Sequence, residues 1–211
     1  MVFNVKKTET RAAIEHGNTG LWYGRLVHFP GTHARARGKG QLLQDLQEEL
    51  DYHLNWLRRH KQPAPKKPGY TIRVEEEVQG ISELGESGGE VAFFEFDKQV
   101  VDKKKLECLL RHMAHNREDL VNTVINLDKK AMDRIPDERK RSIRDILAHI
   151  CNAEEFYLSR LGEKADALYE RNLEMEVSEA DHLPIFERLE AVRTACVKTL
   201  RELAPIKGEG I

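Results

Sequence analysis

One charged side chain occupies a position where the sequence pattern calls for an apolar one. The segment SIRDILAHICNAEEFYLSRL (142–161) has helical spacing, and Glu154 falls near the centre of its apolar face at about 100° per residue. A carboxylate there can serve as a general base or be held by a buried cation. The preceding helical segment favours the cation, because Arg117 lies between Met113 and Leu120 on its own apolar face. We predict that Arg117 and Glu154 form a structural ion pair, and no catalytic residue is assigned.

A histidine at the margin of the same face is the second candidate for chemistry. His149 precedes Glu154 by five residues, which places the two side chains about 140° apart around the helix. One metal ion therefore cannot easily take both as ligands. A lone histidine at such a margin is more often a half-buried packing residue than a metal ligand. From the residues alone we expect no cofactor.

Other catalytic patterns are absent from the sequence. It contains no Gly-x-Ser-x-Gly elbow, no glycine-rich phosphate loop before Lys-Ser/Thr and no pair of closely spaced cysteines. The three cysteines, Cys108, Cys151 and Cys196, are an odd number without metal-site spacing. No apolar run is long enough for a membrane span, and the N-terminus lacks a signal-peptide pattern. These features predict a cytoplasmic protein without a membrane partner.

The charge distribution indicates two modules. Residues 1–70 carry 12 Lys and Arg against 6 Asp and Glu, whereas the remaining residues carry 22 against 30. The overall net charge of −2 therefore hides a basic N-terminal part and an acidic C-terminal part. We place the first module at 1–80, a linker with a short apolar strand at 81–102, and the second module at 103–211.

The first module has an α+β pattern. Alternating apolar residues predict strands at 8–17, 20–29 and 70–78, and leucines at helical spacing predict a helix over 41–60. The order strand, strand, helix, strand predicts a small antiparallel sheet with one packing helix.

The second module is predicted to be an all-α, up-down helical bundle. Its apolar stripes indicate long helices at 103–127, 142–161 and 183–203, with a short helix at 165–170 in the connection.

Two stretches carry a resemblance to known families. NREDLVNTVINL (116–127) and RSIRDILAHICNAEEFYLSRL (141–161) resemble the first two helices of the DinB-like (DinB/YfiT-type) four-helix bundles. GLWYGRLVHFPGTHARARGKGQLLQDLQEELDYHLNWLRRHKQ resembles the HicB-like α+β module, which contacts a toxin partner in antitoxins. Together the two resemblances cover nearly the whole chain.

The DinB-like resemblance implies a divalent metal such as zinc or nickel. Members hold it with one histidine on the second helix and a His-x-x-x-His pair on the fourth, and some are thiol transferases or hydrolases. Only His149 matches this pattern, no His-x-x-x-His occurs in the sequence, and the fourth helix is missing from the predicted bundle. A site with one protein ligand is too poor to hold the ion, so we expect a degenerate metal site.

Two functions remain open at this point. The first is a non-catalytic, dimeric interaction protein whose HicB-like module binds a protein partner. Its three long amphipathic helices leave an apolar groove that a second copy would cover, which predicts a homodimer. The alternative is a metal-dependent enzyme, of thiol S-transferase or hydrolase type, whose site is completed by a segment or chain outside this sequence.

The basic residues of the first module are a candidate surface for nucleic acid or a partner. They are Arg35, Arg37, Lys39, Arg58, Arg59 and Lys61. No aromatic stacking platform accompanies them, and charge runs are usually solvated surface, so the pattern does not favour nucleic acid.

Overall fold

A computed structural model of the protein describes residues 8–65, 69–86 and 89–204. The chain forms two compact units, Met1–Val100 and Val101–Ile211, which we call the first and the second unit. The boundary between them lies near the end of the predicted linker, 81–102. No helix among the described residues is both long and apolar enough to cross a membrane.

The first unit contains, in its described residues, a four-stranded mixed sheet with the order β3-β2-β1-β4. The strands are β1 (Thr8–Gly17), β2 (Trp22–Leu26), β3 (His33–Ala36) and β4 (Tyr70–Ile81). β2 runs antiparallel to β1 and β3, whereas β4 runs parallel to β1. The predicted α+β class is confirmed, but an antiparallel sheet throughout is wrong. The β3–β4 connection contains a long helix, α1 (Lys39–Arg59), whose crossover lets β4 run parallel to β1.

The sequence pattern did not predict β3. Its residues alternate between exposed and more buried positions, but the inward side chains are only Ala34 and Ala36. Alanine is depleted in strands and carries a weak apolar signal. The strand is recognisable from its pairing with β2 and not from its own composition.

Helix α1 covers one face of the sheet. It buries apolar side chains mainly at four-residue spacing, which lie along one side of a helix: Leu42, Leu46, Leu50, Leu54, Trp56 and Leu57. These pack against Ala12, Ile14, Leu26 and Ala34 of the sheet. Gly24 permits the close approach, since a Cβ there would lie 2.9 Å from Cδ1 of Leu46.

The segment that follows β4 lies on the opposite face of the sheet. Residues 91–94 form no strand, contrary to the prediction, and a 3₁₀ helix follows at Glu95–Lys98. Ala92 and Phe94 are buried against Ala13, while Val91 and Phe93 point outward. The segment has the alternation of a strand, but it packs on the sheet through side chains instead of joining its edge. Part of the predicted linker therefore belongs to the first unit.

The second unit is helical throughout its regular elements. The described residues contain α2 (Lys103–Val124), α3 (Lys129–Asp133), α4 (Ile143–Ser159), α5 (Glu163–Leu173), α6 (Val177–Ala180) and α7 (Ile185–Leu203). Helix α2 begins where Asp102, its N-cap, accepts a hydrogen bond from the backbone N–H of Lys105. Helix α4 begins at a capping box formed by Ser142 and Asp145.

Helix α7 lies at the centre of the second unit and contacts α2, α4, α5 and α6. The helical bundle predicted for this part of the chain is confirmed. The short helix predicted at 165–170 is observed as the longer helix α5. This helix packs against α7 and α4 and buries Ala165, Tyr169 and Leu173. Helix α5 thus supplies a fourth packed helix, which the apolar pattern of the long helices did not show.

Candidate functional site

Two arginines converge on the carboxylate of Glu154 in the second unit. Arg117 on α2 and Arg193 on α7 each donate from Nη2 to Oε1 of Glu154 on α4, the latter at 2.5 Å. The side chains of Arg117, Glu154 and Arg193 are only 10%, 14% and 17% exposed, respectively. The structure therefore brings Arg117 and Glu154 together and adds a third charged group. We call these three residues the arginine–glutamate cluster.

Sequence reasoning missed Arg193, although a signal was present. At about 100° per residue, Arg193 falls on the apolar stripe of α7, within about 60° of Leu189, Cys196 and Leu200. This is the pattern that singled out Arg117 and Glu154 on their own helices. A search for charges on all three apolar stripes would have found it.

A second polar group lies beside the arginine–glutamate cluster. Arg188 of α7 donates to Oδ1 of Asn152 at 2.7 Å, forms an ion pair with Asp181 and lies 3.6 Å from Glu155. The hydroxyl of Tyr169, on α5, donates to Glu155 at 2.7 Å. These contacts join α4, α5, the end of α6 and α7.

Several polar atoms of the arginine–glutamate cluster have no protein partner. They are Nε and Nη1 of Arg117, Nε and Nη1 of Arg193, and Oε2 of Glu154, all of them buried. Burial lowers the pKa of the Arg193 guanidinium, and the positive charge of Arg117 lowers it further, while Glu154 opposes both. The cluster thus holds two positive charges against one negative charge.

The neighbouring thiols and phenol are buried groups that burial holds in their protonated forms. Burial raises the pKa of the Cys151 thiol and raises that of Cys196 to about 12. Burial, followed by the hydrogen bond to Glu155, also raises the pKa of the Tyr169 hydroxyl. All three groups are protonated at neutral pH, and a protonated thiol or phenol is a poor nucleophile. The geometry suits charge binding or structural stabilisation better than covalent catalysis.

His149 does not share a site with Glu154. Its side chain is exposed on α4, whereas Glu154 turns inward to the two arginines. Among the described residues, His149 belongs to no group of three side chains that could hold a metal ion. The residues around it do not fit the metal site that the DinB-like resemblance implies.

The basic residues of the first unit lie at the two ends of α1. Arg35, Arg37 and Lys39 lie at or just before its start, whereas Arg58, Arg59 and Lys61 lie at or just after its end. A helix of 21 residues separates these groups by about 30 Å. Several are also engaged, since Arg37 donates to the carbonyl of Thr19, Lys39 to Glu77 and Arg58 to Asn55. The structure does not bring them together as one basic surface.

Helix α4 is apolar on its solvent side as well as on its core side. Leu147, Cys151 and Leu158 face the core. The opposite side, which we call the outer face of α4, consists of Ile146, His149, Ala153, Phe156, Tyr157 and, just beyond the helix, Leu161. Tyr157 is 71% exposed and Phe156 56%. A helix that is apolar on both sides is normally covered on both sides.

The second unit is similar in sequence to a known family. Residues 112–208 match the model of the DinB superfamily. The match starts within α2, includes α4, α5 and α7, and does not reach the first unit. The arginine–glutamate cluster and the outer face of α4 therefore both lie in the DinB-like region. No curated protein and no solved structure matches the chain.

Proposed function

We propose that this protein is a non-catalytic interaction protein that forms a homodimer through the outer face of α4, and that its DinB-like metal site is degenerate. The observation that carries the proposal is the bare apolar surface of α4. The buried thiols and the exposed, isolated His149 support a binding role over a catalytic one.

The exposed apolar area of the outer face is large enough for a functional contact. An aromatic side chain buries about 150–250 Å² when it is fully covered. Phe156 and Tyr157, at 56% and 71% exposure, therefore leave roughly 250 Å² of ring surface in solvent. Ile146 and Leu161 bring the patch to several hundred Å², the size of patch that is often functional in soluble proteins.

A second copy of the chain can bind this surface because the smallest side chain of the outer face, Ala153, lies near its middle. Ala153 is seven residues after Ile146 and eight before Leu161, the two ends of the outer face. Two α4 helices crossing antiparallel at Ala153 would place each Tyr157 near the partner's His149. Each copy contributes the same patch, so the paired area approaches the roughly 1,000 Å² expected of a biological interface.

Light scattering tests this proposal. We expect a mass about twice the 24.3 kDa of one chain at micromolar concentration, and a mass of one chain for Tyr157→Lys. Tyr52→Lys is the matched control, since Tyr52 is also a tyrosine on a helix and is 63% exposed. A wild-type protein with the mass of a single chain, or equal effects of the two substitutions, would contradict the proposal.

We further propose that the first unit is a HicB-like module that binds a protein partner. Its support is the edge strand β4, which is 12 residues long and pairs on one side only with β1 in the described sheet. Such an edge can accept an extended segment of another protein. Hydrogen exchange of the β4 amides tests whether the homodimer uses this edge. Equal protection of these amides in the wild type and in Tyr157→Lys would mean that the edge is free to bind a different partner. Fast exchange of the β4 amides in every isolated complex would contradict the proposal that this module binds a protein through β4.

A metal-dependent enzyme of thiol S-transferase or hydrolase type is the second candidate. One observation favours it, namely that His149 lies on the face that the second copy would cover, where another chain can bring further ligands. Elemental analysis of the purified dimer separates the two candidates. About one zinc or nickel per chain, lost in His149→Ala, would favour the enzyme, whereas substoichiometric metal is expected for the interaction protein.

We assign the protein to the cytoplasm. All three cysteines are free thiols, which suits a reducing compartment. Cell fractionation that recovers the protein from an oxidising compartment would contradict this assignment.

A further inference from the structure

The arginine–glutamate cluster has more hydrogen-bond donors than it uses. A guanidinium carries five N–H groups, and Arg117 and Arg193 each use Nη2 on the same oxygen of Glu154. Their Nε and Nη1 atoms are buried without a protein partner. Buried polar groups without partners are costly, so a group that supplies acceptors at this point would bind favourably.

The geometry of the free donors selects the shape of the ligand. Each guanidinium has two planar donor edges, one formed by Nε–H and Nη2–H and the other by Nη1–H and Nη2–H. A single hydrogen bond from Nη2 occupies one edge and leaves the other complete. A complete edge matches the two oxygens of a carboxylate, which is the preferred partner of arginine in buried sites. Oε2 of Glu154 also lacks a partner, so an N–H or O–H group on the ligand or on a bound water has an acceptor there.

The local charge selects the sign of the ligand. Two guanidinium groups face one carboxylate, which leaves one positive charge in excess within the cluster. The neighbouring carboxylate of Glu155 is engaged by Tyr169 and lies near Arg188. The second polar group, Arg188 with Glu155 and Asp181, carries one net negative charge, so the positive excess is confined to the cluster itself, where a ligand with a single negative charge would neutralise it.

The helices around the cluster do not enclose it completely. Helix α2 fully buries only Leu110, Arg117 and Val124, whereas its other apolar side chains, such as Met113 and Leu120, are half-buried. The three side chains of the cluster each retain a small exposed fraction. The cluster is therefore buried but not sealed from solvent.

We propose that Arg117 and Arg193 form a binding site for a small carboxylate anion in the interior of the DinB-like bundle. The site is independent of the dimer, because its residues face inward from α2, α4 and α7. Its ligand class follows from the planar donor edges and the single excess charge.

The test compares the stability of the protein in sodium acetate and in sodium chloride at equal ionic strength, with sodium phosphate as a third arm. We expect acetate to raise the unfolding temperature of the second unit in a saturable manner, because a ligand of the native state stabilises it. Arg193→Gln should weaken acetate binding at least tenfold. Arg201→Gln is the matched control on the same helix, since Arg201 is paired with Glu107 but its side chain is 53% exposed.

A second variant protects the test if Arg193→Gln does not fold. Arg193→Lys keeps the positive charge beside Glu154 but lacks the planar donor edge, so it should fold and should also weaken acetate binding at least tenfold. A phosphate effect that is also lost in Arg193→Gln would support the site and widen its ligands to other oxyanions. Identical stability in acetate, phosphate and chloride, or an acetate effect that survives in Arg193→Gln, would overturn the proposal and leave a solvated structural cluster.

Discussion

Replacing Glu154 by glutamine is expected to destabilise the second unit by about 3–5 kcal/mol. Glu154 is the shared acceptor of two guanidiniums whose side chains are 10% and 17% exposed. Glutamine keeps the size of the side chain but removes the charge, so two adjacent cations remain in the interior without a counterion. The value is that measured when one partner of a buried ion pair is removed, and the second arginine adds repulsion to it.

The arginines should behave differently from Glu154. Arg193→Met removes one charge-assisted hydrogen bond, at a cost of about 1.5–3 kcal/mol, but it also relieves the repulsion between two cations. Arg117 and Glu154 then remain as a balanced pair. The variant that lacks both arginines leaves a bare carboxylate, so its loss should exceed the sum of the two single losses by at least about 0.5 kcal/mol.

Urea unfolding with two probes measures these losses. Both tryptophans, Trp22 and Trp56, lie in the first unit, whereas most of the helical circular dichroism comes from the second. Glu154→Gln should shift the midpoint of the circular dichroism transition. A loss below about 1 kcal/mol in that transition would refute the interpretation that the cluster stabilises the bundle.

Two further predictions concern groups whose pKa is raised by burial. Burial raises the pKa of the Glu15 carboxyl, although a hydrogen bond from a backbone N–H and the charge of Arg25 both oppose the shift. The contribution of Glu15 to stability is therefore present below its unfolded pKa, near 4.5, and is lost as the pH rises through its folded pKa. Glu15→Gln should therefore stabilise the first unit at pH 7 and reduce its loss of stability between pH 4 and 7, measured by urea unfolding with tryptophan fluorescence; an unchanged pH profile would contradict the assignment. For the cysteines, thiol titration of the folded protein at pH 8 should find Cys108 reactive and the buried Cys151 and Cys196 slow, and fast reaction of either buried thiol would show that the core opens.

Patterns along the chain predicted much of the architecture because helices and strands impose their period locally. The leucines of α1 and the apolar stripes of α2, α4 and α7 recur at helical spacing, and their bounds agree with the structure to within a few residues. The alternation in β1 and β4 likewise indicated strands. The same local reasoning singled out Arg117 and Glu154, since a charge on an apolar stripe is visible from the stripe itself.

Only the tertiary structure decided which elements and groups meet. The parallel pairing of β4 with β1 depends on the crossover through α1, and β3 is defined by its hydrogen bonds to β2. Residues 91–94 alternate as a strand does, yet their position on the face of the sheet leaves them without backbone pairing. That two arginines share one oxygen of Glu154 likewise depends on the packing of three helices. Spacing along a chain determines the face on which a side chain lies, but not what packs against that face.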